Sequence, residues 1–216
     1  DEVLIPTLDR VEVCAELDDG TQLLGEAQIT AGRKGAQIRR VFLVSDAPER
    51  PTTDFRPTPE VLAALQTADA IVIGPGSLFT NLIPSLLIKE INDAVRQSPA
   101  RKIFISNLMT QPNQTEGYSV ADHVRTIQQH CGLRFDYVLA HHGGEISPEV
   151  LQRYRDSDAD LVVPQLVIND GSQVAIFPDS PQEIVLVEGA HPVPDERSTG
   201  AAKAALVNAS AAQARV

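Results

Sequence analysis

Three short stretches of this 216-residue chain collect the residue types that chemistry needs. The first is Gly74-Pro75-Gly76-Ser77-Leu78-Phe79-Thr80-Asn81. Its two glycines, Gly74 and Gly76, carry no Cβ, so backbone can approach an anion closely, and Ser77 and Thr80 add hydroxyls. Set between a buried strand and a helix, this is the make-up of a loop that holds a phosphate-bearing ligand, although the same residues also make an ordinary tight turn with a helix cap. The second stretch, 107–118, reads Asn-Leu-Met-Thr-Gln-Pro-Asn-Gln-Thr-Glu-Gly-Tyr. It is long for a strand-to-helix connection and crowded with hydrogen-bonding groups, which points to binding. The third is His141-His142-Gly143-Gly144-Glu145. Adjacent histidines rarely present both imidazoles to one ion and no carboxylate stands at a usual offset, so no metal site is expected there. His123 and His130 lie seven apart on a helical pattern and are expected at the surface or half-buried. No Ser/His/Asp arrangement emerges from spacing, so no catalytic residue is assigned.

Stepping outward to the elements that must hold these loops, a strand, helix, strand, helix, strand rhythm starts near residue 58. It predicts a parallel α/β sheet, outside whose strand carboxyl ends ligands collect. Thr58 and Pro59 start a helix through Gln66. The uniformly apolar Ala70–Ile73 predicts a central strand covered on both faces. A helix is expected over 81–97, its regular start confined by Pro84, and a strand over 102–106. Ser119 to Asp122 has the form of a capping box, opening a helix to about His130 that Gly132 stops. Tyr137 to Ala140 is the next strand. Upstream, Val11, Val13, Ala15 and Leu17 alternate with polar neighbours. Asp18-Asp19-Gly20 turns the chain, and Thr21 to Ile29 reads as the returning strand of a β-hairpin. Ile38 to Val44 is a further strand, followed by a connector with Pro48, Pro51, Pro57 and Pro59. Beyond residue 148 the pattern predicts a helix at 148–154 and strands at 161–163, 174–177 and 184–187. The Ala-rich 198–212 stretch reads as a closing helix or tail. The organisation expected is a hairpin lobe with connector over 1–57, an α/β unit over 58–198 and an Ala-rich terminus over 199–216.

Composition narrows the partners. A formal charge of −11 with no basic block disfavours nucleic acid. No apolar run approaches the roughly 20 residues that span a bilayer. Cys14 and Cys131 are too few for a disulfide framework, which fits a reducing cytoplasm. The chain opens at Asp1 and its single methionine is Met109, so it reads as a fragment. The hairpin edges suggest pairing with a second subunit, and a homodimer is expected.

The runs ADAIVIGPGSLFTNLIPSLL (68–87) and ISNLMTQPNQTEGYSVADHV (105–124) make a long and specific combined pattern. It resembles the YvcK-type, CofD-like family of gluconeogenesis factors, over residues 3 to about 165. The resemblance implies a Rossmann-like three-layer parallel sheet, here partial because the family's first half with its GGGTG loop has no counterpart. It implies a regulator that binds UDP-sugars, acting in carbon metabolism and cell-envelope morphogenesis. The alternative it carries is a CofD-like transferase that moves a phospholactyl group to a deazaflavin in F420 synthesis, with Mg²⁺ if so. Carried onto this sequence, the ligand-binding positions are Gly74, Gly76, Ser77, Thr80, Asn107, Thr110 and Gln111, with Tyr154 as a stacking residue. His141 and His142 stand where relatives commonly carry asparagines.

Overall fold

Two sheets organise the computed structural model, which describes residues 3–46, 54–141, 148–157, 173–177, 185–187 and 204–207. The first sheet is antiparallel, with strand β1 (Val11–Leu17) between β2 (Gln22–Leu24) and β3 (Ile38–Ser45). Its period-2 pattern places Val13, Ala15 and Leu17 of β1 on one face with Ile38 and Val41 of β3, and all five are buried. The Asp18-Asp19-Gly20 turn forms as expected, with Gly20 at φ 84° and the Asp19 carboxylate accepting from the Thr21 amide. The returning strand, however, stops at Leu24. Gly25, at φ 83°, turns the chain out of the ladder, and Glu26–Ala31 is a short helix, α1, that buries Ile29 completely. The alternation of Leu23, Gly25, Ala27 and Ile29 mimics a strand, but Ala27 is exposed and Glu26, Ala27 and Gln28 are good helix formers.

The second sheet has the order β8-β7-β6-β5-β4-β9. Strands β4 (Ala70–Ile73), β5 (Arg101–Ile105), β6 (Tyr137–His141), β7 (Gln173–Phe177) and β9 (Ala204–Val207) run parallel, and β8 (Val185–Val187) pairs antiparallel with β7. Within the Ala-rich terminus, four residues thus extend the sheet beside β4 in place of the expected helix. β-Pairing along an apolar edge overrides the helical preference of alanine there. The expected strand at 161–163 lies outside the described residues. One face of the sheet, carrying Ile71, Ile73, Phe104, Val138 and Ala140, is buried. Val72, Ile103, Ile105 and Leu139 on the other face are half-buried, so β4 is not covered equally on both sides.

Helix α2 (Pro59–Thr67) begins at the predicted Pro59. The helix expected over 81–97 is broken into three pieces. A π-helical turn at Leu78–Leu82 leads into α3 (Ile83–Leu87), Ile88 is extended, and α4 (Lys89–Gln97) follows. Ile88 drops its side chain into the core at the break. Asn92 repairs the carbonyls left over, its Nδ2 donating to the Leu86 oxygen and to the Cys131 oxygen, each at 3.0 Å. Helix α5 (Val120–Cys131) has both bonds of the predicted capping box, Asp122 N–H to Ser119 Oγ and Ser119 N–H to Asp122 Oδ2, and ends at Gly132 in the left-handed region at φ 63°. Helix α6 spans Pro148–Arg155. No helix among the described residues is long and apolar enough to cross a membrane.

The two sheets meet through specific polar contacts as well as a shared apolar core. The Val41 amide of β3 donates to His130 Nε2 of α5 at 3.1 Å. His130 Nδ1 lies 2.7 Å from the Thr126 carbonyl, which requires the neutral Nδ1–H tautomer. At the end of α1, Gly32 abuts the 107–118 loop so closely that an added Cβ would stand 2.2 Å from Asn113 Cβ.

Candidate functional site

The loop after β4 depends on Gly74. It sits at φ 88°, and a Cβ there would stand 2.5 Å from the Ile105 carbonyl oxygen, so no other residue fits. The Gly74–Pro75 peptide is cis, Pro75 is exposed and Gly76 is half-buried. Gly76 N–H donates to Asn107 Oδ1 at 3.0 Å, and Asn107 Nδ2 donates back to Gly76 O at 3.0 Å. Gly76, whose missing Cβ suggests backbone open to an anion, thus has its amide already taken by the Asn107 side chain, which corrects that expectation at this residue.

The donors that remain lie one step further on. Ser77 O accepts from both Asn81 N and Leu82 N at 3.0 Å, the wide turn that opens the π-helical segment. The amides of Ser77, Leu78, Phe79 and Thr80 precede the first internally bonded donor, the Asn81 N–H, and donate to no turn or loop carbonyl among the described residues. Beside them, Gln111 Nε2 donates to Ser77 Oγ at 2.7 Å. Because Ser77 Oγ accepts that bond, its own hydrogen is free to point elsewhere.

Three buried oxygens around this turn have no hydrogen-bond partner among the described residues: Thr80 Oγ1, Asn81 Oδ1 and Gln111 Oε1. Thr80 is only 4% exposed, which makes an unmatched hydroxyl there costly without a partner. Asn81 is a position that the sequence reading leaves out of its site. Its place immediately after Thr80 on the π-helical turn brings it in, and a wide turn of that kind leaves no signal in apolar periodicity.

The long loop closes on itself. Gln111 N donates to Thr115 Oγ1 at 2.8 Å, Thr115 N to Gln111 O at 2.9 Å, and Asn113 N to Glu116 Oε1 at 2.7 Å. Thr110 and Thr115 are buried. The loop ends on Tyr118, whose ring packs edge-on against Phe79 at 6.3 Å and against His123 at 5.5 Å. Phe79 also meets the His130 ring at 6.1 Å. Burial pushes the Tyr118 hydroxyl up, partly offset by a hydrogen bond to Thr126.

His123 is 1% exposed, not at the surface or half-buried as its pattern suggests. Its Nδ1 lies 2.9 Å from the Ser119 carbonyl and its Nε2 has no partner among the described residues. Burial holds the ring neutral by lowering its pKa, against the Ser119 bond and the Asp122 charge. Burial likewise raises the thiols, that of Cys14 and, to about 12, that of Cys131, so neither is a nucleophile at neutral pH.

Of the positions singled out by sequence, Gly74, Gly76, Ser77, Thr80, Asn107 and Gln111 come together here, and Thr110 adjoins Gln111 inside the fold. Tyr154 lies on α6, and its side chain is outside the described residues. So are His142 and the rest of the third loop to residue 147. Glu116 is the only carboxylate within 74–81 and 107–118, and it is exposed and turned to the Asn113 amide. No cluster of three metal-ligating side chains occurs among the described residues.

Residues 1–176 match the family described as 2-phospho-L-lactate transferase CofD. The gluconeogenesis factor of Halalkalibacterium halodurans is 41% identical over 148 residues, covering 68% of this chain and 43% of that protein. The gluconeogenesis factor of Bacillus subtilis is 39% identical over 145 residues, covering 67% and 43%. The crystal structure of a UPF0052 family member from Bacillus halodurans superposes with a TM-score of 0.64 at 41% identity, over 72% of this chain and 47% of that one. The chain thus spans less than half the length of these relatives.

Proposed function

This chain belongs to the 2-phospho-L-lactate transferase CofD family, and from that premise we propose that it forms the loop-bearing half of a regulatory protein that binds a UDP-sugar. The observation that carries this reading is the pairing of two kinds of unmatched group at one turn. Backbone amides of Ser77 to Thr80, with the Ser77 hydroxyl, offer donors to a diphosphate. Thr80 Oγ1, Asn81 Oδ1 and Gln111 Oε1, buried and without a partner among the described residues, would accept from hydroxyl or N–H groups once a ligand uncovers them. A nucleotide-sugar presents both kinds, an anionic bridge flanked by hydroxyl-rich rings. Gly74 lets the backbone reach the turn, Asn107 backs it from behind, and Thr110 and Gln111 form its wall. Tyr154 remains the proposed stacking partner for a ring.

The kinship with gluconeogenesis factors supports a role in carbon metabolism, and the proposal extends it to a cytoplasmic role in cell-envelope morphogenesis. Calorimetric titration of the full-length protein with UDP-N-acetylglucosamine tests the reading. A saturable heat is expected, and no heat from protein shown to be folded removes it.

The family description favours one second reading, a CofD-like transfer of a phospholactyl group to a deazaflavin. Phosphoryl-type transfer needs cationic groups where charge builds on the phosphate oxygens. Neither loop contains Lys or Arg, which is why binding is preferred. A Mg²⁺-dependent product from a deazaflavin and a phospholactyl nucleotide would establish the transferase instead.

A further inference from the structure

The turn that would meet the phosphates is glycine-rich, and glycine backbone has the most conformations to lose. Nothing inside Gly74-Pro75-Gly76-Ser77 selects one shape at Gly76. The selection comes from across the site. Asn107 engages Gly76 on both its N–H and its C=O, each at 3.0 Å. A side-chain amide that donates to and accepts from the same residue does what a neighbouring strand does in a ladder. It fixes that residue's φ and ψ together. Gln111 adds a second clamp one residue on, at Ser77 Oγ.

We propose that Asn107 is a positioning residue for the ligand loop: it does not touch the ligand but holds the Gly76 backbone so that the amides from Ser77 onward face it. This rests on the proposed ligand reading for its consequence, but the clamp itself is a property of the ligand-free protein. Removing it leaves the loop in its binding shape only part of the time. Apparent affinity falls by that fraction through slower productive association, with dissociation little changed.

The experiment uses the full-length protein, glycine-labelled with ¹⁵N, in three forms: unaltered, Asn107→Ala and Asn107→Asp. Amide exchange at Gly76 is read without ligand, against the β4 amides as internal control. In Asn107→Ala, Gly76 is expected to exchange about tenfold faster or more, with β4 unchanged. Asn107→Asp gives a pH signature that packing alone would not. As a neutral acid it donates and accepts like the amide, and as a carboxylate it can only accept and repels the Gly76 carbonyl. The bond from the Gly76 N–H survives ionisation and the one to the Gly76 carbonyl does not, so the Gly76 ¹H–¹⁵N signal shifts as the acid ionises above about pH 4, while Asn107→Ala shows no such titration.

Association and dissociation of UDP-N-acetylglucosamine are then measured by stopped flow. Slower association with an unchanged dissociation rate supports the proposal. Accelerated dissociation with Gly76 protection intact would mean that Asn107 contacts the ligand, and overturns it. Unchanged Gly76 exchange in Asn107→Ala overturns it, as does a Gly76 signal that does not titrate in Asn107→Asp. If Asn107→Ala fails to fold, the Asn107→Asp profile decides alone. If the unaltered protein does not bind the UDP-sugar, the proposed function fails while the exchange measurements still judge the clamp.

Discussion

The loops after β4 and β5 lie side by side and are built in opposite ways. The short one, Gly74 to Ser77, takes its shape from outside: from the Ile105 carbonyl against Gly74, from Asn107 at Gly76 and from Gln111 at Ser77. The long one, 107–118, supports itself through the bonds between Gln111 and Thr115 and between Asn113 and Glu116. It then lends support in both directions, to the short loop and to α1, where Asn113 Nδ2 reaches the Thr30 carbonyl. A polar, lengthy loop is commonly taken as a ligand-contacting surface. Here much of its polarity is internal scaffolding, and the groups proposed to meet a ligand lie chiefly on its glycine-rich neighbour.

That asymmetry predicts that damage travels one way. Gly74→Ala has the largest expected effect, because it combines a side chain in the left-handed region with contact against a backbone oxygen. Urea unfolding should show a loss of about 3 kcal/mol or more. In the folded fraction, the Thr115 and Tyr118 amides should keep their protection. Thr115→Val is next, with a loss of about 1–3 kcal/mol from leaving the half-buried Gln111 amide unmatched against a buried side chain. Unlike the first variant, it should disturb both loops, seen as faster exchange at Gly76 as well as at Thr115. If Thr115→Val leaves Gly76 untouched, the one-way dependence is wrong.

The aromatic row behind the loops, His130, Phe79, Tyr118 and His123, adds a pH dependence. Burial lowers the pKa of both histidines below the usual 6.5. The folded state therefore binds fewer protons than the unfolded one. Stability is full above the unfolded value, and is lost as pH falls through it toward the depressed folded values. Unfolding followed from pH 8 to pH 5 should show this decline, and His130→Leu should flatten part of it while removing about 1 kcal/mol at pH 8 through the lost Val41 bond. The smallest effect belongs to Ser119→Ala, about 1 kcal/mol or less from the α5 cap, with both loops intact. Asp122, held below its usual range by Ser119 and Arg125 despite the opposing effect of burial, then loses part of that depression.

What sequence could show followed from local rules. The β4 strand was legible as an unbroken apolar run, and α5 announced both its ends through Ser119, Asp122 and Gly132. The residues of the site were legible as types in a pattern, but not their division of labour. Asn107 and Asn81 are both asparagines near the site, and only the fold turns one toward Gly76 and leaves the oxygen of the other without a partner among the described residues. The break at Ile88 and the helix Glu26–Ala31 were illegible because tertiary contacts decide them. Asn92 reaching two helix ends permits the first, and burial of Ile29 the second.

The imidazole of His130 has a consequence at the rim of the antiparallel sheet. Strand β3 is a border strand of eight residues, long enough to recruit a stray strand from another molecule. With the Val41 N–H already taken by a side chain from α5, an incoming backbone would find that rung missing and a helix standing in its way. The opposite border, β2, offers only three residues. Any pairing through this sheet would thereby be steered to its shorter side, and a protonated His130, unable to accept from Val41, would remove that guard.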